Sequence, residues 1–169
     1  MLDLGCGAGR HTILFAEQGF DVYACDSSPA MVSRTRQRVT GILGREEAHQ
    51  RVRHSAMEDL HEFASTSFHL VVACAVYHHA TTRQQWEWAL TETARVLMHN
   101  GQLYVANFSP RFSPQEDSLF GRMSVFEAED LDAEMARYGL FPVRLTETVT
   151  HGWRVTVHGF YRKQTPVPE

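Results

Sequence analysis

The sequence has 169 residues, of which 43% are apolar, and its formal net charge at pH 7 is -4. This length suits one ordinary domain with a well-buried core and is too short for two. The net negative charge argues against a nucleic-acid partner, because a surface that follows phosphates needs clustered lysine and arginine. No apolar run reaches the ~20 residues of a transmembrane helix, so we expect no membrane partner.

The cysteines and histidines argue against two further kinds of site. Cys6, Cys25 and Cys74 form no CxxC pair, and each lies at a predicted strand end or in a glycine-rich turn. Such thiols are typical of small buried side chains in a reducing compartment, so we expect a cytoplasmic protein. The ten histidines are scattered without the spacing of a zinc site, and no metal is predicted.

Apolar runs and helical patterns alternate along the chain from its first residue. This alternation predicts parallel strands joined by crossover helices, an α/β fold. Strands are predicted at residues 1–4, 21–25, 51–54, 68–74 and 102–107. Helices are predicted at residues 10–18, 29–39, 82–100 and 127–138.

Several of these helices have recognisable boundary signals. Gly19 suits the left-handed residue that follows a helix. Ser28 and Pro29 supply an N-cap and a first-turn proline to the second helix. Thr82 forms a capping box with Gln85 three residues later, and this pair fixes the start of the next helix. The ends of the helices are expected where glycines interrupt the pattern.

The last part of the chain has a different pattern. Residues 141–148 and 153–161 are predicted to form an antiparallel hairpin around Gly152. The preceding stretch 108–125 is irregular, and long irregular segments are often functional. We expect either a lid over a ligand or a mobile surface connection there. Its candidate contacts are Arg111, Phe112, Phe120 and Arg122.

The residues that could carry chemistry follow the predicted strands. In an open parallel sheet, ligands bind beyond the carboxyl ends of the strands. Gly5, Gly7 and Gly9 form a turn after the first strand, and its backbone N–H groups at a helix start suit a carboxylate or phosphate. The GxGxG spacing departs from the GxGxxG of dinucleotide binders. Asp26 ends the second strand, where a carboxylate can accept both hydroxyls of a ribose.

Six segments of the chain together resemble the class I S-adenosylmethionine-dependent methyltransferases, in particular those acting on small molecules. The segments are LDLGCGAGRHT, CDSSPAMV, SAMEDL, FHLVVACAVYHH, ARVLMHNGQLYVANF and FEAEDLDAEMARYGLFPVRLTE. The resemblance covers residues 1–163, which we expect to form one domain, followed by a disordered tail at 164–169. It implies a Rossmann-like, doubly wound, mostly parallel seven-stranded sheet with an antiparallel C-terminal hairpin.

The resemblance also implies a cofactor, S-adenosyl-L-methionine, and the residues that bind it. The glycines would line its methionine end beside Asp3, and Asp26 would bind the ribose diol. Met31 and Met57 would flank adenine, although packing within the second helix is an alternative role for Met31. The Ala73 carbonyl would meet the methionine ammonium. The whole implied set is Asp3, Gly5, Cys6, Gly7, Gly9, Asp26, Ser27, Met31, Ala56, Met57, Glu58 and Ala73.

Ala56 stands where many members of the family have an acidic residue that touches the adenine amino group. That contact is either missing here or supplied by Glu58 or Asp59. His78 and His79, directly after the fourth strand, are the candidate catalytic bases, because histidine titrates near neutral pH. A purely structural role for the pair is the alternative. The segment after the fourth strand lacks the Asp/Asn-Pro-Pro-aromatic run of enzymes that methylate bases or amides.

The expected function is therefore methyl transfer from S-adenosylmethionine to a small-molecule acceptor. One alternative is a nicotinamide oxidoreductase, which the GxGxG spacing and the C-terminal hairpin disfavour. The other is a cofactor-binding fragment or module without catalysis. Members of the family carry an N-terminal helical region before the first strand, and we expect that cap to be short or missing here. The oligomeric state, a homodimer included, is left open.

Overall fold

The computed structural model of the chain describes residues 1–111, 125–152 and 154–164. Phe112, Phe120, Arg122, Trp153 and most of the expected tail therefore lie outside the described residues. The described strands are β1 (Leu2–Leu4), β2 (Tyr23–Asp26), β3 (Val52–His54), β4 (Phe68–Cys74), β5 (Leu97–Phe108), β6 (Leu140–Pro142), β7 (Glu147–His151) and β8 (Arg154–Lys163). The described helices are α1 (Arg10–Glu17), α2 (Pro29–Leu43), α3 (Arg45–Arg51), α4 (Arg83–Val96) and α5 (Ala128–Ala136), with a short 3-10 turn at Tyr77–His79.

All of these strands belong to one sheet with the order β3-β2-β1-β4-β5-β8-β6, and β7 also pairs with β8. The strands β1 to β5 pair in parallel, whereas β8 is antiparallel to β5, β6 and β7. The chain order reverses at β1, which lies between β2 and β4. Such a switch point opens a crevice at the carboxyl ends of the strands. The expected mostly parallel sheet with an antiparallel C-terminal part is confirmed.

Helices cover both faces of the sheet. In β2 the neighbouring residues Ala24 and Cys25 point to opposite faces, because side chains alternate along a strand. Cys25 belongs to the apolar core that contains Trp86 of α4 and Leu131 of α5. Ala24 belongs to a separate core that contains Val32 of α2, and α1 and α3 also pack there. The sheet is thus doubly wound, as the resemblance implied.

The second helix extends beyond its predicted end. Gly41 lies inside α2, which stops only at Gly44, where φ is 83°. No helix was predicted between this one and the strand at 51–54, but the residues there form α3. Ala48 explains this difference, because its buried side chain joins the core between α2 and β3.

The start of the fourth helix at its Thr82 cap is confirmed, with the return bond of Gln85 shifted to Thr81, but the predicted helix end is wrong. The Gln85 N–H donates to Thr82 Oγ1 at 3.1 Å, and Gln85 Oε1 accepts from the Thr81 N–H at 3.0 Å. The helix ends at Val96 rather than near Asn100. The buried Leu97 already pairs with β4, and the Val96 carbonyl accepts from a loop N–H outside the helix. Pairing with β4 therefore ends the helix before its predicted end.

The predicted strand at 141–148 is divided in two. β6 and β7 both pair with β8, so the sheet has eight strands among the described residues instead of seven. Between them Thr146 turns inward, where its Oγ1 donates to Asp132 Oδ1 at 2.5 Å. This partly buried hydrogen bond lies where the predicted strand is interrupted. None of the helices in the described part of the chain is long and apolar enough to cross a membrane.

Candidate functional site

The glycine turn after β1 has left-handed backbone at each of its three glycines. The φ angles of Gly5, Gly7 and Gly9 are 66°, 53° and 79°. A Cβ at Gly5 would lie 2.5 Å from a methyl group of Val76, and one at Gly9 would lie 2.8 Å from Thr35 Oγ1. A Cβ at Gly7 would meet no atom within 4 Å. Gly5 and Gly9 are therefore fixed by packing, whereas Gly7 leaves its bare face open to a ligand.

The turn forms one wall of a cleft of about 520 Å³ at the carboxyl ends of β1 to β4. Its other walls come from the residues that follow β2, β3 and β4. The cleft is lined by Gly5, Gly7, Asp26, Ser27, Ser55, Ala56, Met57, Glu58, Ala75, Val76, His79 and Gln85. A cleft at the switch point of a parallel sheet is the usual ligand site of such folds.

Asp26 connects the first two walls of the cleft. Its Oδ2 accepts from the Gly7 N–H at 2.8 Å, and its Oδ1 accepts from the Ser28 N–H at 2.9 Å. Each carboxylate oxygen has a second lone pair. The carboxylate is therefore held in place by two backbone donors and can still accept two hydroxyl groups. This arrangement fits a ribose diol.

The third wall combines an apolar surface with a tight turn. The Ser55 N–H donates to the Asp26 carbonyl at 3.1 Å, and Ser55 Oγ donates to the Asp59 carbonyl at 2.5 Å. Met57 is only 8% exposed and forms part of the core as well as the cleft. Glu58 Oε1 accepts from Gln85 Nε2 at 2.8 Å. A flat ring could therefore lie on Met57 with polar groups at its edge.

Eight of the residues proposed from the sequence line this cleft. They are Gly5, Gly7, Asp26, Ser27, Ala56, Met57, Glu58 and His79. The structure does not bring the other six to its walls. They are Asp3, Cys6, Gly9, Met31, Ala73 and His78. Each of these six has a position that explains its absence.

Asp3 lies beneath the glycine turn instead of facing the cleft. Its carboxylate is 2% exposed, and its Oδ2 accepts from Thr12 Oγ1 at 2.6 Å. Burial raises the pKa of Asp3 to about 6, and the hydrogen bond from Thr12 works against this rise. Asp3 can therefore act on a ligand only through its charge.

Cys6 and Gly9 support the turn from behind. The Cys6 thiol is buried, and burial raises its pKa to about 12. Thr35 of α2, which the sequence interpretation missed, contacts both residues and donates from Oγ1 to the Gly7 carbonyl at 2.8 Å. A lone threonine on a helix gives no signal of this role.

Ala73 and Met31 are not among the residues that line the cleft. Ala73 is fully buried inside β4, where it pairs with Leu4 of β1 and Val105 of β5. The strand continues through Cys74, so the wall is built by Ala75, whose φ is 58°. Met31 is 37% exposed in the first turn of α2, so it is not packed as a core residue.

The two histidines after β4 face different pockets. His79 lines the cleft, whereas His78 is buried and lines a second pocket of about 500 Å³. The centroids of their rings lie 4.4 Å apart, and the centroid of the His78 ring lies 4.6 Å from that of the Phe108 ring. Burial, and then the neighbouring His79, lower the pKa of His78 to about 4. His78 is therefore a neutral imidazole near neutral pH.

The second pocket adjoins the cleft at Ala75, which lines both. Its walls come from the ends of β4 and β5, the start of α1 and the hairpin of β7 and β8. It is lined by Arg10, His11, Cys74, Ala75, His78, Tyr104, Ala106, Asn107, Phe108, His151, Arg154, Thr156 and His158. In the part of the chain that the structure describes, no group of three or more histidine, cysteine or acidic residues could hold a metal ion.

Arg111 does not line either pocket. Its Nε donates to Glu127 Oε1 at 2.9 Å, so it links the two ends of the segment at 112–124. The expectation of a lid falls mostly on residues outside the described part of the chain.

Comparison with known proteins identifies the family. Residues 1–101 match the family model described as "Methyltransferase domain". These residues include the glycine turn, Asp26, the Met57 loop and the histidine pair. No curated protein matches the chain.

Three solved structures illustrate the likeness of fold. The chain is 21% identical to 1,6-didemethyltoxoflavin-N1-methyltransferase from Burkholderia thailandensis, covering 97% of this chain and 70% of that one with a TM-score of 0.73. It is 18% identical to magnesium protoporphyrin IX methyltransferase from Synechocystis. That alignment covers 96% of this chain and 69% of the other, with a TM-score of 0.71. It is 16% identical to an S-adenosylmethionine-dependent methyltransferase from Methanosarcina mazei. That alignment covers 96% of this chain and 91% of the other, with a TM-score of 0.76.

At such identities the structures show a shared fold, whereas the family model matches more than half of the sequence itself. The cleft of the matched segment has an open backbone at Gly7 and a carboxylate at Asp26 that is hydrogen-bonded to it. The chain therefore belongs to the family of S-adenosylmethionine-dependent methyltransferase domains.

Proposed function

We propose that this chain transfers a methyl group from S-adenosylmethionine to a small-molecule acceptor. The observation that carries the proposal is the Asp26 carboxylate, which two backbone N–H groups hold at the open face of Gly7. The proposed acceptor pocket is the second pocket, which meets the cleft at Ala75. The three free cysteines, of which two are buried, support our proposal of a reducing, cytoplasmic location.

The cleft residues fit the cofactor group by group. Asp26 would hold the ribose hydroxyls, and the turn at Gly5 and Gly7 would hold the methionine end. Met57 would support the adenine ring, with Glu58 at its amino group. Met31, exposed at the start of α2, would cover the ring from the solvent side. When bound, the cofactor supplies a methyl group on a sulfonium, which is an activated electrophile.

The task of the protein is then to place the acceptor atom in line with that methyl group. Proximity and orientation supply ~7 to 11 kcal/mol of barrier reduction in well-aligned systems. A thiolate or carboxylate acceptor needs no base, whereas a hydroxyl must lose a proton. His79 lines the cleft and would accept that proton on its imidazole. His78 is the weaker candidate base, because burial lowers its pKa to about 4.

The experiment that tests the proposal uses the purified chain and a cofactor with a deuterated methyl group. The protein is incubated with this cofactor and a small-molecule extract, and the products are analysed by mass spectrometry. We expect at least one extract component to gain the labelled methyl group in wild type and not in the Asp26→Ala variant. Calorimetric binding of the cofactor without any labelled product would instead support a cofactor-binding module without catalysis. Absence of both would refute the proposal.

A further inference from the structure

The second pocket contains a buried polar side chain without a partner. Asn107, near the end of β5, is 2% exposed, and it lines this pocket. Neither its Oδ1 nor its Nδ2 makes a hydrogen bond within the described part of the chain. A buried polar group that is left unpaired destabilises the folded protein. Buried amides are therefore normally satisfied, and a ligand is a natural partner for one that faces a pocket.

The inner wall of this pocket is formed by β5 and β8, and the other polar side chains on it are already paired. Tyr104 Oη lies 2.7 Å from His158 Nδ1, and His158 Nε2 lies 2.8 Å from Thr156 Oγ1. These hydrogen bonds pair the polar atoms of the three side chains and hold the side chains in place. Asn107 is thus the group on this wall that has both a donor and an acceptor to offer.

His78 lies beside Asn107 and adds a third unpaired atom. Its Nδ1 is buried without a hydrogen-bond partner among the described residues. Burial lowers the pKa of His78, and the neighbouring Asn107 works against this change without forming a well-aligned hydrogen bond. The two side chains together present an amide and a neutral imidazole to the pocket. The Phe108 ring, 4.6 Å from that imidazole, gives a flat apolar surface next to them.

The charged side chains that line the pocket have one sign, and the carboxylates of Asp3 and Glu147, which act on its lining residues, are not among them. None of the described residues that line it is acidic, whereas Arg10 and Arg154 both carry a positive charge there. Arg10 begins α1 and is exposed, so its guanidinium can reach a ligand at the pocket entrance. A positive rim attracts an anion and repels an ammonium group.

We propose that the second pocket binds the methyl acceptor, that Asn107 determines its identity by pairing with a hydroxyl or amide, and that the acceptor is a small aromatic anion. This inference rests on the proposed function, because it needs methyl transfer at the adjoining cleft. The flat part of the acceptor lies against Phe108 and His78, and its carboxylate or phosphate lies toward Arg10. Asn107 acts as a specificity-determining residue.

The test uses two probes of similar size and opposite charge, 4-hydroxybenzoate and tyramine. Their binding to the intact chain is measured by calorimetry, with and without S-adenosylhomocysteine. We expect wild type to bind 4-hydroxybenzoate at least about tenfold more tightly than tyramine. We expect Asn107→Leu, which removes both hydrogen-bonding atoms, to weaken 4-hydroxybenzoate binding by about tenfold or more. Asn107→Asp is a matched variant of the same shape that adds a negative charge. It should weaken 4-hydroxybenzoate binding further, so that the variant binds tyramine more tightly than 4-hydroxybenzoate.

S-adenosylhomocysteine binding is the control for folding and for the proposed function. Both Asn107 variants should bind it as wild type does, because Asn107 does not line the cleft. If wild type binds S-adenosylhomocysteine but prefers tyramine or binds neither probe, the inference is wrong and the proposed function stands. Equal binding of 4-hydroxybenzoate by wild type and Asn107→Leu would also refute it. If S-adenosylhomocysteine itself does not bind, the proposed function fails.

Discussion

Asp26 is the residue on which the cleft depends most directly. One oxygen of its carboxylate receives the Gly7 N–H of the turn after β1, and the other receives the Ser28 N–H before α2. The carboxylate thus fixes the distance between two segments that follow neighbouring strands. It does so while each of its oxygens keeps one lone pair for a ligand.

Replacing Asp26 should therefore weaken cofactor binding strongly. We expect Asp26→Ala to reduce the affinity for S-adenosylmethionine by roughly 1.5 to 3 kcal/mol, because two hydrogen bonds to a charged group are lost. Asp26→Asn should have a smaller effect, because one oxygen still accepts. Isothermal titration calorimetry measures both, with the exposed Glu17→Ala as a control. Unchanged affinity in Asp26→Ala would remove this residue from the site.

Asp3 shows how a buried charge can oppose stability. Burial raises its pKa from 3.8 to about 6 in the folded protein. The folded state therefore favours the protonated form, and stability falls as the pH rises from about 4 to about 6. A pKa difference of roughly 2 lowers the free energy of unfolding by about 3 kcal/mol at pH values above this range.

We accordingly expect Asp3→Asn to be more stable than wild type near pH 7.5 and to lose this advantage near pH 4. The asparagine oxygen can still accept from Thr12 Oγ1, so the packing is kept. Urea unfolding at the two pH values measures the difference, and the exposed Asp130→Asn serves as the matched control. A variant less stable than wild type near pH 7.5 would show that Asp3 is needed in its charged form for folding.

At the scale of elements, the turn after β1 separates residues that hold the fold from residues that face a ligand. We expect Gly9→Ala to lower stability by roughly 1 to 3 kcal/mol, because φ is 79° and the new Cβ would meet Thr35. Gly7→Ala also has strained backbone, but its Cβ would point into open space. It should therefore reduce cofactor affinity more than stability.

Thermal unfolding and calorimetry on the two variants separate these effects. The expected pattern is a larger drop in Tm for Gly9→Ala and a larger loss of affinity for Gly7→Ala. The reverse pattern would mean that the open face of Gly7 does not take part in binding.

The sequence predicted elements well where a local signal sets the boundary. Ser28, Thr82 and Gly19 mark helix ends at which the responsible side chain or backbone angle is local, and the structure has these ends. The end of α4 and the break between β6 and β7 depend on distant partners. Leu97 pairs with β4, and Thr146 reaches Asp132 of α5, so no window of neighbouring residues contains the cause.

The same distinction applies to the site. Asp26 was predicted because it ends a strand, and strand ends meet at one edge of the sheet. The role of Met57 was implied by the resemblance to the methyltransferase family. Thr35, Gln85 and Asn107 were missed because their roles arise from packing between elements far apart in sequence. Thr35 supports the turn from α2, and Gln85 reaches Glu58 from α4. Neither contact has a spacing that a sequence pattern could reveal.

At the scale of the whole molecule, the cleft lies at the point where the chain order of the sheet reverses. The glycine turn and Asp26 belong to the half with β1, β2 and β3, and Ala75 and His79 follow β4 on the other side. Bound cofactor would contact segments from both sides of this crevice. Ligand binding stabilises the folded state by mass action, by about 2.7 kcal/mol at a concentration of 100 times Kd. That stabilisation should reach every segment that the cofactor touches.

Hydrogen exchange measured with and without S-adenosylhomocysteine tests this expectation for the intact chain. We expect slower exchange at residues 5–9, 26–28, 55–58 and 75–79, because these backbone segments surround the cleft and local opening there would release the ligand. The edge formed by β6 and β7 contributes nothing to the cleft, so its exchange should change little. Protection concentrated in β7 and β8 would place the cofactor in the second pocket and contradict the assignment of both pockets. Protection on both sides of the crevice would instead mean that one small ligand joins the two halves of the sheet, with the neighbouring pocket left open for the acceptor.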